Sequence, residues 1–246
     1  MKKFKLVSAI LFSVFLLFSS CNNDSDTITK AEMKPTSVSA KNAANPYNQL
    51  GILHNQFMKQ RKEAPLDSQD EILNSAFQYF EQSGYDTGTI DHTQMAQAVN
   101  QAVSGGFTID KINELAVVYN FSDAYKAQLY KLVNFFNATD YTSTTQMVDR
   151  MNELEAEYLN TQLPDNEKAQ LLSVIAIASE SLAYWISLYP NDILNTTGKA
   201  SWFNRIFGGA ICDVFGAVIG GGIGGPIGAG IGAAAASAYV QKFIEY

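Results

Sequence analysis

The chain has 246 residues, 17 basic against 24 acidic side chains and a formal charge of −7, with 47% hydrophobic and 17% charged residues. That apolar fraction suffices for a packed core, while the acidic balance argues against nucleic acid and against electrostatic docking on anionic lipid heads. Two cysteines, Cys21 and Cys212, offer no disulfide framework, so the fold must rest on packing.

Lys2, Lys3 and Lys5 precede an apolar run from Leu6 to Phe18, which is too short for a membrane span and of signal-peptide length. Ser19 and Ser20 are small residues just before Cys21. The whole stretch, "MKKFKLVSAILFSVFLLFSSC", resembles the lipobox of bacterial lipoproteins, departing from it at Phe18, where that family most often carries leucine. The resemblance implies that residues 1–20 are a removed leader and that Cys21 is diacylated, anchoring an exported protein in the bacterial outer membrane. The alternative is an ordinary secretory leader with an incidental cysteine. Without the leader's three lysines, 14 basic and 24 acidic residues leave a charge of −10.

Residues 22–45, "NNDSDTITKAEMKPTSVSAKNAAN", are polar and carry no aromatic side chain, so they read as a disordered tether. A flexible chain of that length has a root-mean-square reach of about 25–30 Å. Asp24 and Asp26 stand where acidic residues route some Gram-negative lipoproteins to the cell surface; plain linker polarity explains them equally well.

From residue 46 to 200 the pattern is helical. Asn45 and Pro46 are read as N-cap and first helical residue, ahead of Tyr47, Leu50, Leu53, Phe57 and Met58 at three- and four-residue steps. The segment "NPYNQLGILHNQFM" also resembles the opening helix of other bacterial lipoproteins, a likeness that implies no activity. Ser68 and Glu71 spell a capping box, with Gly84 at the stop. A third helix is expected over about 91–104, then two more capped by Thr108 and Ser122, and a sixth opened by a second box at Ser143 and Gln146. The seventh, from Pro164 to Leu188, contains "LLSVIAIASESLAYWISL", whose single charge is Glu180; a helix apolar nearly all round belongs at the centre. No segment alternates with period two. The expected class is all-α: a bundle of about seven helices followed by a Gly/Ala/Ile-rich helix or helical hairpin over 206–241.

Little in the bundle suggests chemistry. His54 and His92 lie on different predicted helices with no ligand at metal-binding spacing, and read as surface or interface histidines. "DTGTID", Asp86 to Asp91, lacks the oxygen ligands and closing glutamate of a calcium loop. Ser179 to Ser181 has no adjacent histidine, so no nucleophilic triad follows. Asp149, Glu153, Glu155 and Glu157 read as a solvated acidic face. No catalytic residue, metal or cofactor is expected.

The tail carries the clearest pattern. Gly208, Cys212, Gly216, Gly220, Gly224, Gly228, Gly232 and Ala236 recur every four residues and are all small. Phe207, Ile211, Phe215, Ile219, Ile223, Ile227 and Ile231 form the adjoining row and are all large. Residues four apart make a ridge on a helix, and a ridge of glycines is a groove that admits another backbone. From Val214 to Gln241 no residue is charged. One continuous span is one arrangement; the other is a break near Gly224, Gly225 and Pro226, with the chain doubling back. The segment resembles the glycine zippers of outer-membrane lipoproteins and of small pore-forming bacteriocins, and the whole order resembles the pore-forming domains of colicins. These resemblances imply helix packing in or near a membrane. The expectation is a non-enzymatic, lipid-anchored envelope protein whose zipper packs in or on the membrane or against its own copies. The competing expectations are burial of the zipper in the bundle and a membrane-active effector with an insertable hairpin.

Overall fold

The computed structural model describes residues 44–138, 140–189 and 199–244, with side chains over 206–242 in the last stretch. The leader, Cys21 and nearly all of the tether lie outside the described residues. All described residues belong to one compact unit, Ser37–Tyr246. Among them are eight helices and no strand: α1 (Asn48–Glu63), α2 (Gln69–Gln82), α3 (His92–Ser104), α4 (Ile109–Tyr119), α5 (Asp123–Asn137), α6 (Thr144–Asn160), α7 (Asp165–Leu188) and α8 (Lys199–Ile244). The chain is therefore all-α, seven helices and a long apolar C-terminal element, as its periodicity predicts.

The starts follow from capping chemistry. Ser68 and Glu71 close a reciprocal box, Glu71 N–H donating to Ser68 Oγ at 3.1 Å and Ser68 N–H to Glu71 Oε2 at 3.0 Å. Asp91, Thr108, Ser122 and Ser143 each accept one N–H from the first turn of α3, α4, α5 and α6. At Ser143 the reciprocal arm reaches one residue further back, Gln146 Oε1 accepting from Thr142 N–H at 2.7 Å. Helix α4 stops at Asn120, whose φ of 54° places it in the left-handed region that ends helices.

Helix α1 begins two residues later than expected. Asn45 is not a conventional cap: its Oδ1 accepts from Tyr47 N–H at 3.0 Å, while its Nδ2 donates to Glu155 Oε1 at 2.7 Å and to Leu172 O at 2.9 Å. Pairing two buried partners on α6 and α7 is worth more than a cap in water, because an unmet polar group there costs about 1–3 kcal/mol.

Helix α8 is two helical arms, 199–223 and 226–244, joined at Gly224 (φ −132°) and Gly225 (φ 60°, ψ −149°). Gly225 occupies backbone space closed to other residues. The break also puts Pro226 at the start of the second arm, where its missing N–H and fixed φ are tolerated, rather than mid-helix, where it would cost about 3 kcal/mol. The hairpin packs chiefly on α7, then on α3, α1 and α2. Val214 to Gly220 and Ala229 to Ala236 are buried. With α7 buried along most of its length, these three rods form the interior and the amphipathic helices their sheath.

The contacts also orient the bundle. Tyr47, Tyr85 and Ile90 meet the hairpin turn, as does Tyr119, whose ring lies where a Cβ on Gly222 would stand. At the opposite end, Lys242 Nζ donates to Asp67 O at 3.0 Å, and Phe207 packs on Phe135, Phe136 and Tyr141. The chain therefore enters the described domain, at Ala44 to Tyr47, beside the hairpin turn.

Candidate functional site

Three features of the described residues invite a functional reading. The first is the zipper. A Cβ on Gly220 would stand 2.2 Å from Gly228 O, and one on Gly216 would stand 2.5 Å from Gly232 O and 3.0 Å from Ala236 Cβ. The pairs 216/232 and 220/228 are symmetric about Gly224, so the small-residue row is folded in half and each half is the other's partner. Gly224 itself lies at the turn, where a Cβ would meet Ile90 Cγ1 at 2.7 Å. Gly208 has open space instead, nothing lying within 4 Å of its Cβ position. The six predicted zipper glycines thus divide into four that interlock, one at the bend and one at the free end. Cys21 is outside the described residues.

The second feature was not legible in advance: a buried polar cluster where α1, α7 and both arms of α8 meet. Asp213 Oδ2 accepts from Ser181 Oγ at 2.5 Å and from Trp185 Nε1 at 2.9 Å, and lies 3.5 Å from His54 Nε2. Ser237, on the returning arm, faces the same carboxylate outside strict hydrogen-bond geometry. His54, Ser181, Asp213 and Ser237 are fully buried. Burial raises the Asp213 pKa above the usual carboxylate value, opposed by His54, Ser181, Ser237 and Trp185. Asn55 orients the histidine. Its Nδ2 donates to Glu180 O at 2.8 Å and to Glu180 Oε2 at 3.1 Å, leaving its Oδ1 to accept from His54 Nδ1 at 3.1 Å. A proton on Nε2 or on Oδ2 is then what makes the His54–Asp213 contact attractive, since two lone pairs would otherwise face each other.

Three sequence expectations are narrowed or corrected here. Of the surface and interface places expected for the histidines, His54 takes the interface, fully buried where α1 meets α7 and α8; His92, by contrast, is exposed and stacks on Phe77 with centroids 3.6 Å apart. Ser181 does share a cluster with a histidine and an aspartate, but the carboxylate stands between them. The order is Ser–Asp–His rather than the relay a nucleophile needs, and no solvent reaches it. The acidic face is corrected too: Glu155 is fully buried against Asn45, because two residues from Glu153 is roughly the opposite side of a helix. Glu167, also buried, accepts from Ser122 N–H at 2.7 Å and Ser122 Oγ at 2.6 Å, tying α7 to the start of α5. Cys212 is half-buried beside Asp213, and its thiol is pushed up to about 12 by desolvation and then by that charge.

The third feature is a shallow groove of about 350 Å³ at the hairpin turn, lined by Tyr47, Leu50, Tyr85, Gly224, Pro226 and Ile227 with Pro46 at its edge. Its lining includes no acid, histidine, lysine or arginine side chain. Among the described residues no three His, Cys, Asp or Glu side chains converge as a metal site. Two helical segments, Asp165–Leu188 and Ile206–Lys242, are long and apolar enough to cross a membrane, and their apolar windows are 78% and 72% buried within the protein. That compatibility with membrane association is weak, since the central helices of a water-soluble bundle share it. Comparison with protein families, with characterised proteins and with solved structures finds no match for the chain.

Proposed function

We propose that the chain is a non-enzymatic, lipid-anchored protein of the bacterial cell envelope: exported, acylated at Cys21 and held at the outer membrane, with its helical domain standing on a tether that ends before Asn45, which is buried in the domain rather than part of the tether. In this reading the glycine zipper is the core of the domain and the acyl chains are the anchor. The supporting observation is the interlock of Gly216 with Gly232 and of Gly220 with Gly228, which leaves no room in the groove for a helix from lipid or from a second copy. Two acyl chains suffice for durable attachment, at roughly 0.8 kcal/mol per buried CH₂. The test is fractionation of cells expressing the full chain and Cys21→Ser. The variant should lose incorporation of a palmitate analogue and leave the membrane fraction. If it remains there and resists an alkaline carbonate wash, the zipper is the anchor and the reading fails.

A second reading is a membrane-active effector that opens its sheath and inserts the hairpin. What favours it is the uncharged run from Val214 to Gln241, packed on α7 and covered along much of its length by α1, α2 and α3. Dye release from liposomes separates the two: leakage supports the effector, and its absence across pH and lipid composition removes it.

A further inference from the structure

We infer that the end of the bundle bearing the hairpin turn is a membrane-contact surface, which lies on the lipid interface of the membrane that holds Cys21. The inference rests on the lipid-anchor reading above. Its first support is where the tether joins the domain. In that reading the 22 residues from 22 to 43 give a reach of about 23–28 Å, and they lead through Asn45 into Pro46 and Tyr47, at the groove formed with Gly224, Pro226 and Ile227. The other end of the bundle lies a helix length further off, about 36 Å for the 24 residues of α7. An anchored domain therefore meets the bilayer with its turn end first.

The second support is the chemistry of that end. Val117 and Val118 are the most exposed large apolar residues described, at 85% and 70%, and they immediately precede Tyr119, whose ring covers Gly222 in the hairpin. Ile223, Pro226 and Ile227 are half-buried there, as are Tyr47, Tyr85 and Tyr119. Tyrosine, with an apolar ring and a polar tip, suits the level of the lipid headgroups. Asp86, Asp91 and Asp165 are exposed at the same end, so charge does not draw it to anionic lipid. The cations Arg61, Lys62 and Lys242 gather at the opposite end, around Leu66 and Ala238. Docking through those three cations would present that end instead, so the two orientations are experimentally opposite. The surface we assign takes a zwitterionic bilayer and works because the anchor holds it at high local concentration.

The test uses the full, acylated chain with single cysteines at Val117→Cys, Val118→Cys and, as the control at the far end, Glu63→Cys. All three positions are exposed. Each variant is built on a Cys212→Ala background, because Cys212 is a free, partly exposed thiol, so a maleimide fluorophore reports the introduced site alone. The protein is reconstituted on phosphatidylcholine vesicles containing a doxyl-labelled phosphatidylcholine quencher. Quenching several-fold stronger at Val117→Cys and Val118→Cys than at Glu63→Cys is expected. Equal quenching, or stronger quenching at Glu63→Cys, overturns the inference. So does contact between probes on two copies without quenching, which makes the surface a dimer interface. Mass spectrometry of the same preparation reads acylation at Cys21 separately. A missing acyl group refutes the anchor reading, whereas an acylated protein with unquenched valine probes refutes only the contact surface.

Discussion

Adjacent glycines in the hairpin should respond to alanine with opposite signs. At Gly220 a methyl group would lie 2.2 Å from Gly228 O, 2.9 Å from Gly228 C and 3.3 Å from Gly232 Cα, all backbone that cannot rotate away. Relief requires the arms to part by about 1 Å, and a gap of 0.5–1 Å forfeits a quarter to a half of each dispersion contact it opens. If the interface holds about as many atom pairs as a buried leucine makes, roughly 40–60, the loss is about 2–4 kcal/mol. The gain of up to about 1 kcal/mol in helix propensity offsets only part of it. At Gly221 the same methyl group would lie 3.6 Å from Ala229 Cβ and 3.9 Å from Gln170 Cγ, which is ordinary contact. The propensity gain then stands alone.

Urea unfolding of the purified domain, followed by circular dichroism, measures both. Gly220→Ala should lower stability by about 1–3 kcal/mol net, and Gly221→Ala should raise it by about 0.5–1 kcal/mol. In a domain of this size each kcal/mol shifts Tm by about 2–4 °C. Gly208→Ala, with open space around it, should behave like Gly221→Ala although it belongs to the four-residue row. A straight zipper packed along one partner would instead make Gly208 and Gly220 alike. If Gly220→Ala proves neutral or stabilising, or if Gly208→Ala costs as much as Gly220→Ala, the folded-back zipper is wrong.

The buried carboxylate supplies a pH prediction. The folded pKa of Asp213 lies above its unfolded value, so the stability it contributes is fully present below the unfolded pKa and is lost as pH rises through the folded one. The stability of wild type relative to Asp213→Asn, measured by urea unfolding across pH 4–8, should therefore increase on acidification; a decrease would contradict it. Asp213→Ala should cost about 3–5 kcal/mol, because Ser181, Trp185 and His54 would be left without their buried partner. Asn45→Ala should lower stability by about 1–3 kcal/mol by removing a buried donor to Glu155 and to Leu172 O, and Asn45→Asp should be at least as harmful because it sets a second carboxylate against Glu155; thermal unfolding reads both.

Helix number, the central place of α7 and most caps were legible because they depend on residues within four positions of one another. The break in α8 was legible only as one of two arrangements: Gly224, Gly225 and Pro226 offered a turn, and that the row folded there becomes its own partner emerged from the structure. The Asp213 cluster was not legible, because His54 and Asp213 belong to helices whose relative register depends on the packing of the whole core. A signal was nonetheless present. Asp213 stands among Gly209, Ala210, Gly216 and Ala217, the one charge between Arg205 and Lys242, and such an acid is either buried with partners or out of place. Glu155 carried the same mark, lying on the face of Met151, Leu154 and Tyr158.

The two features, zipper and cluster, answer different structural needs. A row that repeats every four residues matches itself again after a four-residue slip, and the glycines of 220–225 could turn the chain at more than one place. Glycine spacing alone therefore leaves the register of the arms degenerate. Asp213 removes the degeneracy. It reaches Ser181 and Trp185 on α7 and faces Ser237 across the hairpin in one register only, close to that of the 216/232 and 220/228 pairs. A slip in either direction would leave a buried carboxylate, a buried indole N–H and a buried serine without partners, at several kcal/mol together. The zipper sets how closely the arms approach, and the acid at its foot sets where along each other they stop.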